Sequence, residues 1–92
     1  MADSFRKSIH SPEFKAFQRE LRAARERAGV SQNELARRLQ TNQGHISKIE
    51  QGDLRVDMAQ VLAICRAIGV PFMDLMQAFI TTVCTENEAT PQ

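Results

Sequence analysis

Apolar residues recur along this chain at helical spacing, in five stretches separated by turn residues, and nowhere in strict alternation. The first stretch opens at Ser11-Pro12-Glu13: Ser caps, Pro takes the first helical position, and Glu lies in the first turn. Phe14, Phe17, Leu21, Ala24 and Ala28 then fall on one face, and Gly29 ends the helix. Ser31 and Glu34 have the S-x-x-E spacing of a capping box and open a second, shorter helix. Its apolar side is Leu35, Ala36 and Leu39, and the chain turns at Gln40-Thr41. Asn42 caps a third helix with Ile46 and Ile49 inward and Gly52 as its stop. Asp57 caps a fourth, whose expected buried face is Met58, Val61, Leu62, Cys65 and Ile68 before Gly69. Pro71 starts a fifth, with Phe72, Leu75, Met76, Phe79, Ile80 and Val83 at helical spacing. The pattern predicts an all-α, compact five-helix domain over residues 11–84. A flexible or partly helical arm at residues 1–10 precedes it, and a disordered polar tail at 85–92, TENEATPQ, follows.

Ninety-two residues at 42% hydrophobic content make one domain with one small core. A core of that size is marginal alone, so further burial in a dimer is expected to help. No run of about 18 apolar residues exists to cross a membrane. The N-terminal MADSFRKSIH lacks the continuous apolar stretch of a signal peptide. Cys65 and Cys84 do not form a disulfide framework, which fits a reduced, cytoplasmic setting. Cys65 falls on an apolar stripe and reads as a small core residue. His10 and His45 have no neighbours at ligand spacing, so no metal or other cofactor is expected. No nucleophile–base pairing or glycine-rich phosphate loop can be placed, so an enzyme is not expected.

Charge changes the picture once the chain is divided. Residues 1–52 carry ten Lys/Arg against six Asp/Glu, whereas residues 53–92 carry two against five. The basic half holds SQNELARRLQTNQGHISKIEQG, two helices too short to stand alone in water. Leaning on the other three helices, they present the third on the surface. With Ile46 and Ile49 inward, Gln43, Gly44, Ser47 and Lys48 point out. An exposed helix so equipped suits the DNA major groove: Gln bonds bidentately to adenine N6 and N7, and Lys reaches guanine or a phosphate. Gly44 lets the backbone approach closely. Arg37 and Arg38 face either phosphate or solvent.

The segment from Leu21 to Leu75 resembles the lambda repressor/Cro-type helix-turn-helix family. The likeness is carried by LRAARERAGVSQNELARRL, TNQGHISKIEQG and VLAICRAIGV. It implies a lambda repressor-like DNA-binding domain whose helix-turn-helix is formed by helices 2 and 3. It also implies base contacts from Asn42, Gln43, Gly44, Ser47 and Lys48. Phosphate contacts are implied for Gln32, His45, Gln51 and Arg55, with Arg25 near a phosphate as well. Arg25 and Glu50 match a charged pair that ties helix 1 to helix 3. Two departures stand out. Gln40 opens the turn where the family usually has Gly, because that position favours φ > 0. Gly44 gives up a side chain where many relatives read a base, which leaves a share of the specificity to DNA shape.

The apolar stripe of the last helix continues past what closes such a domain: Met76, Phe79, Ile80 and Val83 are surplus, as are Phe5, Ile9, Phe14 and Phe17. They pack on each other within one chain or form a dimer seam, and the seam is the expectation. The function expected is a homodimeric transcriptional regulator, a repressor reading a palindromic operator in double-stranded DNA. An antitoxin or restriction-modification controller built on the same domain, acting with a partner protein, fits equally. A helical protein-interaction module without DNA readout is the remaining alternative.

Overall fold

The computed structural model describes residues 11–88, with side chains as far as Thr85. The expected N-terminal arm with Phe5 and Ile9, His10, and residues 89–92 lie outside the described residues. Five helices follow one another: α1 Pro12–Arg27, α2 Gln32–Arg38, α3 Gln43–Gln51, α4 Met58–Ile68 and α5 Phe72–Glu88. No strand occurs among the described residues.

The caps do what short polar side chains do at helix starts. Ser11 Oγ accepts from the Phe14 N–H at 3.0 Å, and Asn42 Oδ1 accepts from the His45 N–H at 2.9 Å. Ser31 Oγ likewise accepts from the Glu34 N–H at 3.0 Å. The second half of the expected capping box is missing there. The Glu34 carboxylate receives Arg37, and Arg38 Nε at 2.8 Å, instead of the backbone of Ser31. Two guanidinium groups outbid a neutral backbone N–H because charge-assisted bonds are stronger. They hold Glu34 below the usual carboxylate range, Arg37 having the larger effect. A full capping box forms at α4 instead. Asp57 Oδ1 accepts from the Gln60 N–H at 2.7 Å, and Gln60 Oε1 accepts from the Asp57 N–H at 2.8 Å.

The core is one cluster in which Leu21, Leu35, Ile46, Cys65 and Leu75 are fully buried. Burial pushes the Cys65 thiol up, consistent with a small inert core residue. α4 buries Val61, Ile64, Cys65 and Ile68. Ile64 thus takes a place on the inner face that the sequence reading assigned to Met58, which is 65% exposed. Met58 lies on the first turn, between two shallow apolar grooves, so helical phase alone does not cover it. Ala28, expected on the buried face of α1, is its exposed C-cap.

α5 packs on α1 and α4, while α2 packs on α3 and α4. Arg38, left between phosphate and solvent by its sequence, bridges helices. Its Nη1 donates to the Ala67 carbonyl at the end of α4 at 2.6 Å. The apolar stripe of α5 divides. Leu75 enters the core, and Met76 and Phe79 pack against it from the rim. The Phe79 ring meets Phe17 edge-on, 5.4 Å between centroids at 83°. Thr82 Oγ1 donates to Glu20 Oε2 at 2.5 Å, fastening the same seam of α1 and α5. Much of the surplus therefore closes on its own chain, while Ile80 and Met73 stay 52% and 72% exposed. The helix also runs past Thr85, where a disordered tail was expected, to Glu88. No Gly or Pro interrupts TENEAT, and an established helix extends at little cost per residue.

The turn between α2 and α3 bends at Gln40, whose φ is +59°. An L side chain in this region costs about 1–2 kcal/mol. Gln40→Gly should raise the unfolding free energy by about 1 kcal/mol, the greater freedom of unfolded glycine offsetting part of the relief. Urea denaturation monitored by helicity checks this, and a loss of stability would show that the Gln40 side chain holds the turn.

Candidate nucleic-acid interface

α3 is held from behind by two polar side chains of α1. Gln18 and Arg25 sit seven residues apart on the buried stripe of that helix and are only 6% and 7% exposed. Gln18 Nε2 donates to the Ile49 carbonyl near the end of α3, at 3.3 Å. Its amide lies against Gly52, where an added Cβ would come within 2.7 Å of it. Gly52 also has φ +91°, so it is required twice, by backbone conformation and by space. Gly52→Ala should destabilise the fold by about 2 kcal/mol or more, since the left-handed backbone alone accounts for about 1–2 kcal/mol. A loss no larger than that backbone share would mean that the Gln18 amide gives way to the added Cβ.

Arg25 binds the next residue of α3, Glu50. Its Nε donates to Glu50 Oε2 at 2.6 Å, its Nη2 to Glu50 Oε1 at 3.0 Å, and its Nη1 to the Val30 carbonyl at 2.8 Å. The side chains of Arg25 and Glu50 are 8% and 4% exposed. The charged pair between the first and third helices is thus present as a buried, two-pronged bridge. The hydrogen bonding to Glu50 keeps Arg25 above its ordinary pKa, against the opposing effect of burial. The same burial corrects the phosphate contact expected of Arg25. All three guanidinium nitrogens point at acceptors inside the protein, and the side chain has almost no surface to offer DNA.

From Glu50 a chain of amides runs outward. Gln32 Nε2 donates to Glu50 Oε1 at 2.9 Å, and Gln43 Nε2 donates to Gln32 Oε1 at 2.7 Å. Gln32 opens α2 and Gln43 opens α3, so this contact also joins the starts of the two helices. Gln43, Ser47 and Gln51 form a row along α3 at four-residue spacing, with Gly44 and Lys48 in the adjoining row. All five are exposed except Ser47, which is half-buried and accepts from Gln51 Nε2 at 2.9 Å. Gly44 has a local reason as well. A Cβ there would stand 3.3 Å from Asn42 Oδ1, the oxygen that caps α3.

The remaining expected contacts are placed less uniformly. Asn42 is exposed at the start of α3. The His45 ring turns back to Thr41, with 2.9 Å between Nδ1 and Oγ1, and lines a cleft with Leu39 at the end of α2 and with Gln60 and Ala63 of α4. Arg55 is exposed in the loop after α3, at the rim of a groove lined by Phe14, Val56, Met76 and Phe79. Gln18 escaped the sequence reading. Its signal was a polar residue in the phase of Phe14, Phe17 and Leu21, the same signal that Arg25 carries one heptad on.

A family model described as a helix-turn-helix domain matches residues 16–79. No curated protein matches the chain in sequence. Among solved structures, the fold is similar to an XRE-family like protein from Pseudomonas syringae pv. tomato, with 33% identity and a TM-score of 0.74. That similarity covers 86% of this chain and 96% of the other. It is also similar to the clp gene regulator ClgR from Corynebacterium glutamicum, at 25% identity and a TM-score of 0.71, covering 79% and 95% of the two chains. A second ClgR structure, at 22% identity and TM-score 0.73 over 89% and 98%, shares the fold.

Proposed function

We propose that this chain, which belongs to the Cro/C1-type helix-turn-helix family, is a transcriptional regulator that binds double-stranded DNA sequence-specifically through α3 in the major groove. The observation that carries this reading is the outer face of α3. Gln43, Gly44, Ser47 and Lys48 stand outward on a helix whose last turn is anchored from behind by Gln18 and Arg25. A reading helix must keep its pose while its side chains meet base edges, and these anchors supply that stiffness. Gln43 and Lys48 have the donor and acceptor chemistry of adenine and guanine edges, with Asn42, Gly44 and Ser47 beside them. Gln32, Gln51 and Arg55 are the side chains offered to phosphates, and His45 approaches only if it leaves Thr41.

The active species in this proposal is a homodimeric repressor on a palindromic operator. Its seam uses the outer face of α5, where Met73 and Ile80 lie seven residues apart and exposed, with Val83 half-buried nearby. Met76 and Phe79 serve the seam only through their outer edges, because each packs on its own core. Ile80→Asp should therefore give a folded monomer, whereas a charge at Phe79 would break the contact with Phe17 and unfold the chain. Sedimentation of Ile80→Asp as an intact dimer would refute the seam.

Selection from a random double-stranded DNA pool near physiological salt tests the whole reading. Enrichment of an inverted repeat is the expected result, with half-site spacing reporting the distance between two copies of α3. No enrichment by a folded sample would overturn it.

A further inference from the structure

We propose that the ten residues preceding Ser11 fold back as a strap over the groove between α1, α4 and α5, with the side chains of Phe5 and Ile9 seated in it. The groove has a volume of about 560 Å³, and its floor is apolar: Phe14 and Phe17 of α1, Val61 of α4, and Met76 and Phe79 of α5. A recess this apolar on so small a domain gains stability from being covered.

Four observations name the occupant. Ser11 is itself part of the groove wall, so the preceding chain leaves from the groove's edge. Ser11 has an extended backbone, φ −75° and ψ 153°, with Pro12 behind it, so a preceding helix cannot run straight on into α1 and the chain bends there. Ile9 lies two residues from Ser11, a reach of about 7 Å at most, and Phe5 lies about 6 Å further along a helix. That four-residue spacing sets Phe5 and Ile9 on one helical face, with Met1 before them. Charge agrees: the groove is rimmed by Glu13 and Asp57 against Arg55, whereas the segment carries Arg6 and Lys7 against Asp3.

A small molecule suits the groove less well. Two polar groups that would orient it are engaged as helix caps, the Ser11 hydroxyl on the Phe14 N–H and the Asp57 carboxylate on the Gln60 N–H. A second copy must compete with a segment tethered beside the groove at millimolar effective concentration. Val56, in the loop after α3, lines the same groove, so the strap also braces the loop that carries Arg55.

Nuclear Overhauser contacts on the full chain with methyl-labelled methionine test this directly. The Phe5 ring should contact the Met76 methyl in wild type. The double variant Phe5→Asp, Ile9→Asp, shown by circular dichroism to keep its helicity, should shift the Met58 and Met76 methyl resonances. That of Met73, 72% exposed and outside the groove, should stay in place. Phenylnaphthylamine, a neutral apolar dye, should bind the variant about tenfold more tightly than wild type, the ratio expected when the strap covers the groove in about nine chains of ten. The proposal is overturned if wild type shows no contact between Phe5 and Met76, which is read without any variant. Equal dye binding by wild type and folded variant overturns it as well, since the groove is then open to a small apolar ligand. In a mixture of differently labelled chains, contacts found only between chains would assign the groove to a second copy and overturn it too.

Discussion

Glu50→Ala should destabilise the fold by about 3–5 kcal/mol, the cost of leaving one partner of a buried ion pair uncompensated. The substitution strips Arg25 of two of its three hydrogen bonds while its side chain stays inside. The Val30 carbonyl remains to receive it, with the exposed Glu26 carboxylate 3.9 Å from Nη2. The Gln32 amide loses its inner acceptor in the same step. A domain of this size has a total stability on the order of 5–14 kcal/mol, so the variant should be partly unfolded at physiological temperature. Chemical denaturation followed by circular dichroism measures the loss. Replacing both partners, as in Arg25→Met with Glu50→Leu, should recover most of it, because the penalty comes from the orphaned charge and not from the missing bridge. A single-variant loss below about 1 kcal/mol, the range of a solvated surface pair, would show that the pair is not buried in solution.

Gln43→Ala should cost about 1–3 kcal/mol of discrimination at one base pair per half-site and leave the fold in place. Gln43 is exposed, sits at the first position of α3, and takes no part in the core. Its one intramolecular bond is to Gln32, so removing it disturbs the reading surface alone. Competition binding against operators altered at single positions reads the effect. Uniform weakening across all sequences would reassign Gln43 to the DNA backbone. Preference and affinity both unchanged would remove it from the interface.

Much of the fold was legible in the chain because helix starts and stops are written locally. Ser11, Asn42 and Asp57 cap the helices that their positions suggested, and Gly52 and Gly69 end them. The departure at Gln40 was legible too, since the turn demands φ > 0 whatever residue stands there. The outward side chains of α3 followed from the inward phase of Ile46 and Ile49. The capping box was misassigned because S-x-x-E does not disclose that Arg37 and Arg38 lie within reach of the same carboxylate.

By itself, then, the sequence determined five helices, their order, the short turn between α2 and α3, and the face that α3 turns outward. These depend on residue type and on spacing of three or four along one helix, which the chain carries directly. Only the tertiary structure decided that Gln18 holds the end of α3, that Arg25 faces inward, and that Met76 and Phe79 close on their own chain. It alone linked Glu50 through Gln32 to Gln43. Each of these contacts joins different helices, and periodicity records the phase of a residue but not which neighbour the crossing of two helices brings against it.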